Sequence, residues 1–184
     1  MIKKIPNIIT VIRIILVPVF VFFFCSDLEN RKSIYLVIFA VSGLGDVADG
    51  VIARTFHCES DFGKLMDPLA DKLMQISVAI CVATKMPQLM WVPVFLGAKE
   101  LFMICGATGL LKKENIVVKS NWAGKLASVI YFFTFLTLML FDNKLSKGVA
   151  QILCCLFVIF SVIALIIYVN KYKDQKRRND EIDA

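Results

Sequence analysis

Only one histidine, His57, occurs in the 184 residues, and the six cysteines form neither a CxxC pair nor a Cys/His cluster. A metal site built from sulfur and imidazole is thereby set aside, and so is a disulfide framework. Cys25, Cys81, Cys105, Cys154 and Cys155 sit in apolar runs and read as small apolar side chains. Cys58 and His57 fall in a short polar loop, where His57 reads as a solvated residue. Charge is scarce as well. Lys, Arg, Asp and Glu make up 20% of the chain against 58% hydrophobic residues, and the charges clump between long uncharged runs. A water-soluble surface cannot be built from that pattern, so an integral membrane protein is expected. No small-residue cleavage site closes the first apolar run after Lys3 and Lys4, so no cleavable signal is expected. The net charge of +6 comes without base-reading or aromatic-stacking patterns, which excludes nucleic acid as its partner. Inverted internal repeats are also missing, which weighs against the alternative of a cation- or proton-coupled transporter using intramembrane aspartates.

What is present is six apolar stretches, each near the ~20 residues that a helix needs to cross a bilayer. They run over Ile8–Cys25, Ile34–Ile52, Asp67–Thr84, Leu89–Leu111, Trp122–Phe141 and Val149–Val169. The expected fold is therefore an all-α integral membrane protein with six transmembrane helices. It would form one compact domain over residues 1–170, with a charged tail over 171–184 that is either an exposed helix end or disordered. Lysines and arginines divide unevenly between the two sides, 12 against 5. The richer side carries both termini and the loop from Ala53 to Met66, so these face the cytosol and the basic excess meets anionic membrane lipids.

The chemistry is concentrated between Asp46 and Asp71, written DVADGVIARTFHCESDFGKLMDPLAD. Asp46 and Asp49 lie three apart near the end of the second stretch, sharing a helical face with Gly50, Ala53 and Arg54. Asp67 and Asp71 lie four apart at the start of the third, on one face with Gly63. Two carboxylates from each of two neighbouring helices can thus converge near the cytosolic interface. Each ionised group at membrane depth costs on the order of 2.5–3.5 kcal/mol, and a bound cation relieves both that cost and the mutual repulsion. All-oxygen ligands select a hard ion, Mg²⁺ or Mn²⁺, and two such ions would suit a pyrophosphate substrate. Gly50 and Ala53 leave room against the helix, Gly63 allows close backbone approach, Arg54 can clamp a phosphate, and Ser60 can donate a hydroxyl. The competing reading makes these aspartates caps and interface charges, with Asp67 before Pro68 resembling an N-cap followed by proline at the first helical position. That reading explains one carboxylate rather than four. At the other end of the first stretch, Asn7, Thr10 and Arg13 either anchor the chain at the interface or stand at the mouth of a site.

The run Asp46-x2-Asp49-Gly50-x2-Ala53-Arg54-x8-Gly63-x3-Asp67-x3-Asp71 resembles the signature of the CDP-alcohol phosphatidyltransferases, with every spacing kept. The opening KIPNIITVIRIILVPVF and the run FGKLMDPLADKLM resemble the bacterial phosphatidylglycerophosphate synthases of that family, with cardiolipin synthases close behind. The resemblance implies a six-helix membrane core, often dimeric, that moves a phosphatidyl group from CDP-diacylglycerol to an alcohol acceptor and releases CMP. It implies that Asp46, Asp49 and Asp67 bind metal, and that Asp71 is the general base and may touch a second ion. Gly50, Ala53 and Arg54 would hold the CDP moiety, with Asn7, Thr10, Ser60 and Gly63 contributing.

The acceptor end departs from the synthases. Where they carry an Arg-Glu pair and a further arginine one to two turns on, this chain has Lys99-Glu100 followed by LFMICGATG. Their Gly-Lys-x-Lys-Thr stretch reads Gly124-Lys125-Leu126-Ala127-Ser128. Lys99 and Lys125 can bind one phosphate, which suits glycerol 3-phosphate, whereas a less basic pocket suits a lipidic acceptor such as phosphatidylglycerol. The competing reading makes Lys99 with Glu100 a structural ion pair, and Lys125 a residue snorkelling to the interface.

Overall fold

A computed structural model of the chain describes the backbone of residues 5–56, 61–111, 122–142 and 144–182, and the side chains of 10–45, 66, 69–103, 124–142 and 144–170. Among the described residues the chain is all-helical. The order is α1 Ile5–Cys25, α2 Arg31–Phe56, α3 Asp61–Lys85, α4 Trp91–Leu111, α5 Trp122–Leu140 and α6 Lys147–Ile182, with a 3₁₀ turn at Pro87–Leu89 leading into α4. Each expected apolar stretch falls on one helix. By length and composition, Lys147–Asn170 within α6 is long and apolar enough to cross a membrane, and Thr10–Cys25 and Gly124–Leu140 are shorter apolar helices. The acidic and basic residues of the 46–71 segment interrupt the apolar runs of α2 and α3.

The boundaries around the acidic segment differ from the sequence expectation. The helices around the acidic segment extend inward, α2 to Phe56 and α3 back to Asp61, so most of the expected loop from Ala53 to Met66 is helical. Pro68 then lies inside α3, beyond the first turn where proline is best tolerated. The charged tail is helical, with α6 continuing to Ile182, one of its two expected states. Lysines, arginines and glutamates are good helix formers, and a long apolar helix before them supplies the nucleus.

The chain forms two compact units, Met1–Pro87 with Met139–Asp142, and Gln88–Leu138 with Asn143–Ala184. In the first, α1 packs against both α2 and α3. Residues four apart on α1, Phe20 and Phe24, meet residues four apart on α2, Tyr35 and Phe39. Phe24 and Tyr35 approach to 4.9 Å between ring centroids, within the range of favourable aromatic pairs. The α3 residues Ala70, Met74, Val78 and Val82 form a buried stripe at i, i+4 spacing. α1 closes at Cys25, where Ser26 donates its backbone N–H to Phe22 O and its hydroxyl to Phe23 O. Two of the four carbonyls that a helix end leaves orphaned are thereby satisfied. Arg31 ties the following turn by donating to Ser26 O and pairing with Asp27.

A charged bridge gathers one end of this unit. Asp142 accepts from Lys32 Nζ at 2.6 Å and lies 3.7 Å from Lys85 Nζ, joining the start of α2 to the end of α3. Lys85 also stands 4.3 Å from the centroid of the Phe24 ring, a cation–π contact that reaches α1. Lys32 remains well exposed, which limits its share to about 1 kcal/mol or less. Replacing Asp142 with Asn is expected to lower the melting temperature of the detergent-solubilised protein by about 2–4 °C per kcal/mol lost. An unchanged melting curve would show that the bridge contributes nothing.

In the second unit, Tyr131 and Phe135 of α5 stack at 4.4 Å and both meet Phe157 of α6 edge-on. In both units large apolar residues also point outward, among them Phe22, Leu44, Val94 and Phe133. Apolar faces this extensive are unsuited to water.

Candidate active site

The acidic segment lies on helix on both sides of residues 57–60. Asp46, Asp49, Gly50, Ala53 and Arg54 occupy α2 backbone at steps of three, one, three and one residues, which keeps them on one face across two turns. Gly63, Asp67 and Asp71 occupy α3 at steps of four. Because α3 begins at Asp61, Asp67 lies inside the helix and is not its N-cap. The capping alternative for that carboxylate is removed. The side chains of Asp46, Asp49, Gly50, Ala53, Arg54, Gly63 and Asp67 lie outside the described residues, as do Ser60 and His57 entirely. Asn7 is on the α1 backbone, with its side chain likewise outside them.

Asp71 is described, and two other residues reach it. Gln75, one turn later on α3, donates Nε2–H to Asp71 Oδ2 at 2.8 Å. Arg13 of α1 brings Nη2 to 3.8 Å from Asp71 Oδ1. The Asp71 side chain keeps 28% of its surface exposed, against 4% for Arg13. Thr10, one turn before Arg13, is fully buried. The stem of Arg13 runs beside Gly45 of α2, where an added Cβ would stand 3.7 Å from Arg13 Cδ. All three helices of this unit therefore contribute to the surroundings of one partly accessible carboxylate.

Sequence reasoning placed Arg13 near a site mouth without a partner and missed Gln75. Its signal was available, since a polar residue four after Asp71 faces the same way on a helix.

In the second unit, Lys99 of α4 pairs with the neighbouring Glu100 at 3.0 Å and donates to Ser161 Oγ of α6 at 3.4 Å. Ser161 is buried, and 62 residues of separation hid it from any local pattern. Lys125 is exposed in the first turn of α5.

Among the described side chains no group of three or more His, Cys, Asp or Glu residues meets, the aspartates 46, 49 and 67 being outside them. The donor chemistry of the acidic segment nonetheless fits a hard divalent cation. Asp71, the member that is described, is a carboxylate with exposed surface, an oxygen donor of the kind such a cation takes.

Residues 3–168 match the family model described as CDP-alcohol phosphatidyltransferase. The chain belongs to the CDP-alcohol phosphatidyltransferase family. Its relatives in that family are distant but long. The chain is 28% identical over 142 residues to the CDP-diacylglycerol–glycerol-3-phosphate 3-phosphatidyltransferase of Rickettsia typhi, covering 77% of this chain and 79% of that one. It is 35% identical over 79 residues, 43% of each chain, to the protein of the same name from Haemophilus influenzae. It is also 30% identical over 137 residues to a protein of Mycobacterium bovis provisionally named a cardiolipin synthase, covering 74% of this chain and 64% of that one. The match to this phosphatidyltransferase family takes in every candidate site residue, from Asn7 to Lys125.

Proposed function

We propose that this family member transfers the phosphatidyl group of CDP-diacylglycerol to the hydroxyl of glycerol 3-phosphate, releasing CMP. The observation that carries the reading is the family match over residues 3–168, reinforced by relatives named for that donor and acceptor. Residues 1–170 would form a six-span domain of the cytoplasmic membrane with its site facing the cytosol, and 171–184 a charged cytosolic tail. The outward-facing apolar residues support that placement. So does the helix at Lys147–Asn170.

Asp46, Asp49, Asp67 and Asp71 would hold Mg²⁺ or Mn²⁺, as two ions. Bound there, the metal supplies charge neutralisation for the donor's pyrophosphate. Arg54 would hold a phosphate oxygen through paired donors, while Gly50, Ala53 and Gly63 leave space for the nucleotide, with Asn7, Thr10 and Ser60 as further contacts. Asp71 would accept the proton of the acceptor hydroxyl as its oxygen attacks the lipid-side phosphorus. The phosphoanhydride bond breaks as the new ester forms, and the electron pair leaves on CMP.

Lys99 and Lys125 would bind the acceptor's phosphate. Since Lys99 already pairs with a buried carboxylate, two variants separate its roles. Lys99→Met is expected to raise KM for glycerol 3-phosphate about tenfold, the effect of losing about 1.4 kcal/mol of charge-assisted binding. Adding Glu100→Gln should restore the melting temperature without restoring KM. Recovery of both would make the pair purely structural.

The assignment itself is tested by offering purified protein CDP-diacylglycerol with glycerol 3-phosphate and phosphatidylglycerol in competition. Phosphatidylglycerophosphate as the product supports the reading. Cardiolipin as the sole product would transfer the chain to the relative found in Mycobacterium bovis.

A further inference from the structure

The geometry points to Gln75 and Arg13 as positioning residues that aim the Asp71 carboxylate, an assignment that rests on the transferase reading above. A carboxylate rotates broadly about its last torsion, and a general base contributes only when its lone pair is directed at the proton it takes. Here each carboxylate oxygen has its own neighbour. Gln75 donates to Oδ2 at 2.8 Å from the same helix, and Arg13 stands 3.8 Å from Oδ1 on another. Gln75 and Arg13 are themselves 7% and 3% exposed, so their own conformations are fixed by packing.

The choice of groups matters as much as their places. The amide at 75 is neutral, so it orients the acid through a hydrogen bond without competing for the proton as a second base or forming a full ion pair. Arg13 supplies the counter-charge from the longer distance of 3.8 Å, where it steadies the anion. An arginine buried on an apolar helix is costly to keep, and this pairing offsets that cost. Gly45 of α2 lies alongside the arginine stem, where even an added Cβ would make only ordinary van der Waals contact with it at 3.7 Å.

The test measures kcat, KM and melting temperature on full-length protein in one detergent for four variants. Gln75→Met keeps size and removes the donor; kcat should fall on the order of tenfold with KM for CDP-diacylglycerol unchanged. Arg13→Lys should recover part of the kcat lost in Arg13→Met. Val78→Ala, fully buried in the same helix, is the packing control and should lower the melting temperature while kcat stays near wild type. Wild-type kcat in Gln75→Met, or a loss that Val78→Ala reproduces at equal destabilisation, would overturn the positioning role alone. An inactive wild type would overturn the transferase reading, and this role with it.

Discussion

Asp71→Asn is expected to lower kcat by about 10²–10⁴-fold, the usual contribution of a positioned general base. Asparagine keeps the shape of aspartate and can still accept the hydrogen bond from Gln75, but its carbonyl oxygen has almost no proton affinity. KM for CDP-diacylglycerol should change less than kcat, since the acceptor proton moves only in the transition state. The same substitution leaves the Arg13 guanidinium, 4% exposed, beside a neutral group. Breaking a fully buried pair costs about 3–5 kcal/mol. The 28% exposure of Asp71 and the 3.8 Å separation hold the cost here below that range. The melting temperature should therefore fall while the fold survives. A variant that keeps more than about a tenth of wild-type kcat would remove Asp71 as the base.

Removing divalent metal is expected to abolish turnover, with a loss of at least about 10²-fold in kcat. Four aspartates fall on two helical faces, and an ionised carboxylate is poorly solvated wherever such a helix meets lipid or protein. On the proposed reading their charges would repel without a cation, and with one they would form a binding set made of oxygen alone. Excess EDTA should therefore stop CMP release, and Mg²⁺ or Mn²⁺ should restore it. A second measurement does not depend on activity. Metal that binds only the folded protein stabilises it by about 2.7 kcal/mol at a hundredfold excess over Kd, so Mg²⁺ should raise the melting temperature. That increase should be much smaller in Asp46→Asn. Full activity in EDTA, with no thermal response to Mg²⁺, would contradict the metal site.

The fold was legible in the sequence wherever a feature was long and periodic. Six apolar stretches correspond to six α-helices among the described residues because each has enough uncharged residues to bury or present one continuous face. The helix starts were less legible. Asp67-Pro68 carries the local chemistry of a helix start, yet α3 begins at Asp61, six residues before that cap-like dipeptide. At the candidate site, spacing alone set the aspartates on two faces. The side chains that hold Asp71 were partly visible: Gln75 lies at helical spacing, whereas Arg13 needed the packing of α1 on α3. Ser161 beside Lys99 and Asp142 between Lys32 and Lys85 could not be read from any window, because sequence separations of 62 and 110 residues are closed only by tertiary structure.

The most direct test of the central claim is to count CMP and lipid product together. Purified protein would receive CDP-diacylglycerol, glycerol 3-phosphate and Mg²⁺, with the products separated and identified by mass. The account predicts equimolar CMP and phosphatidylglycerophosphate, and no CMP when the acceptor is omitted. No CMP from folded protein with any alcohol acceptor would contradict it, and would return the aspartates to another role, such as carrying ions across the membrane.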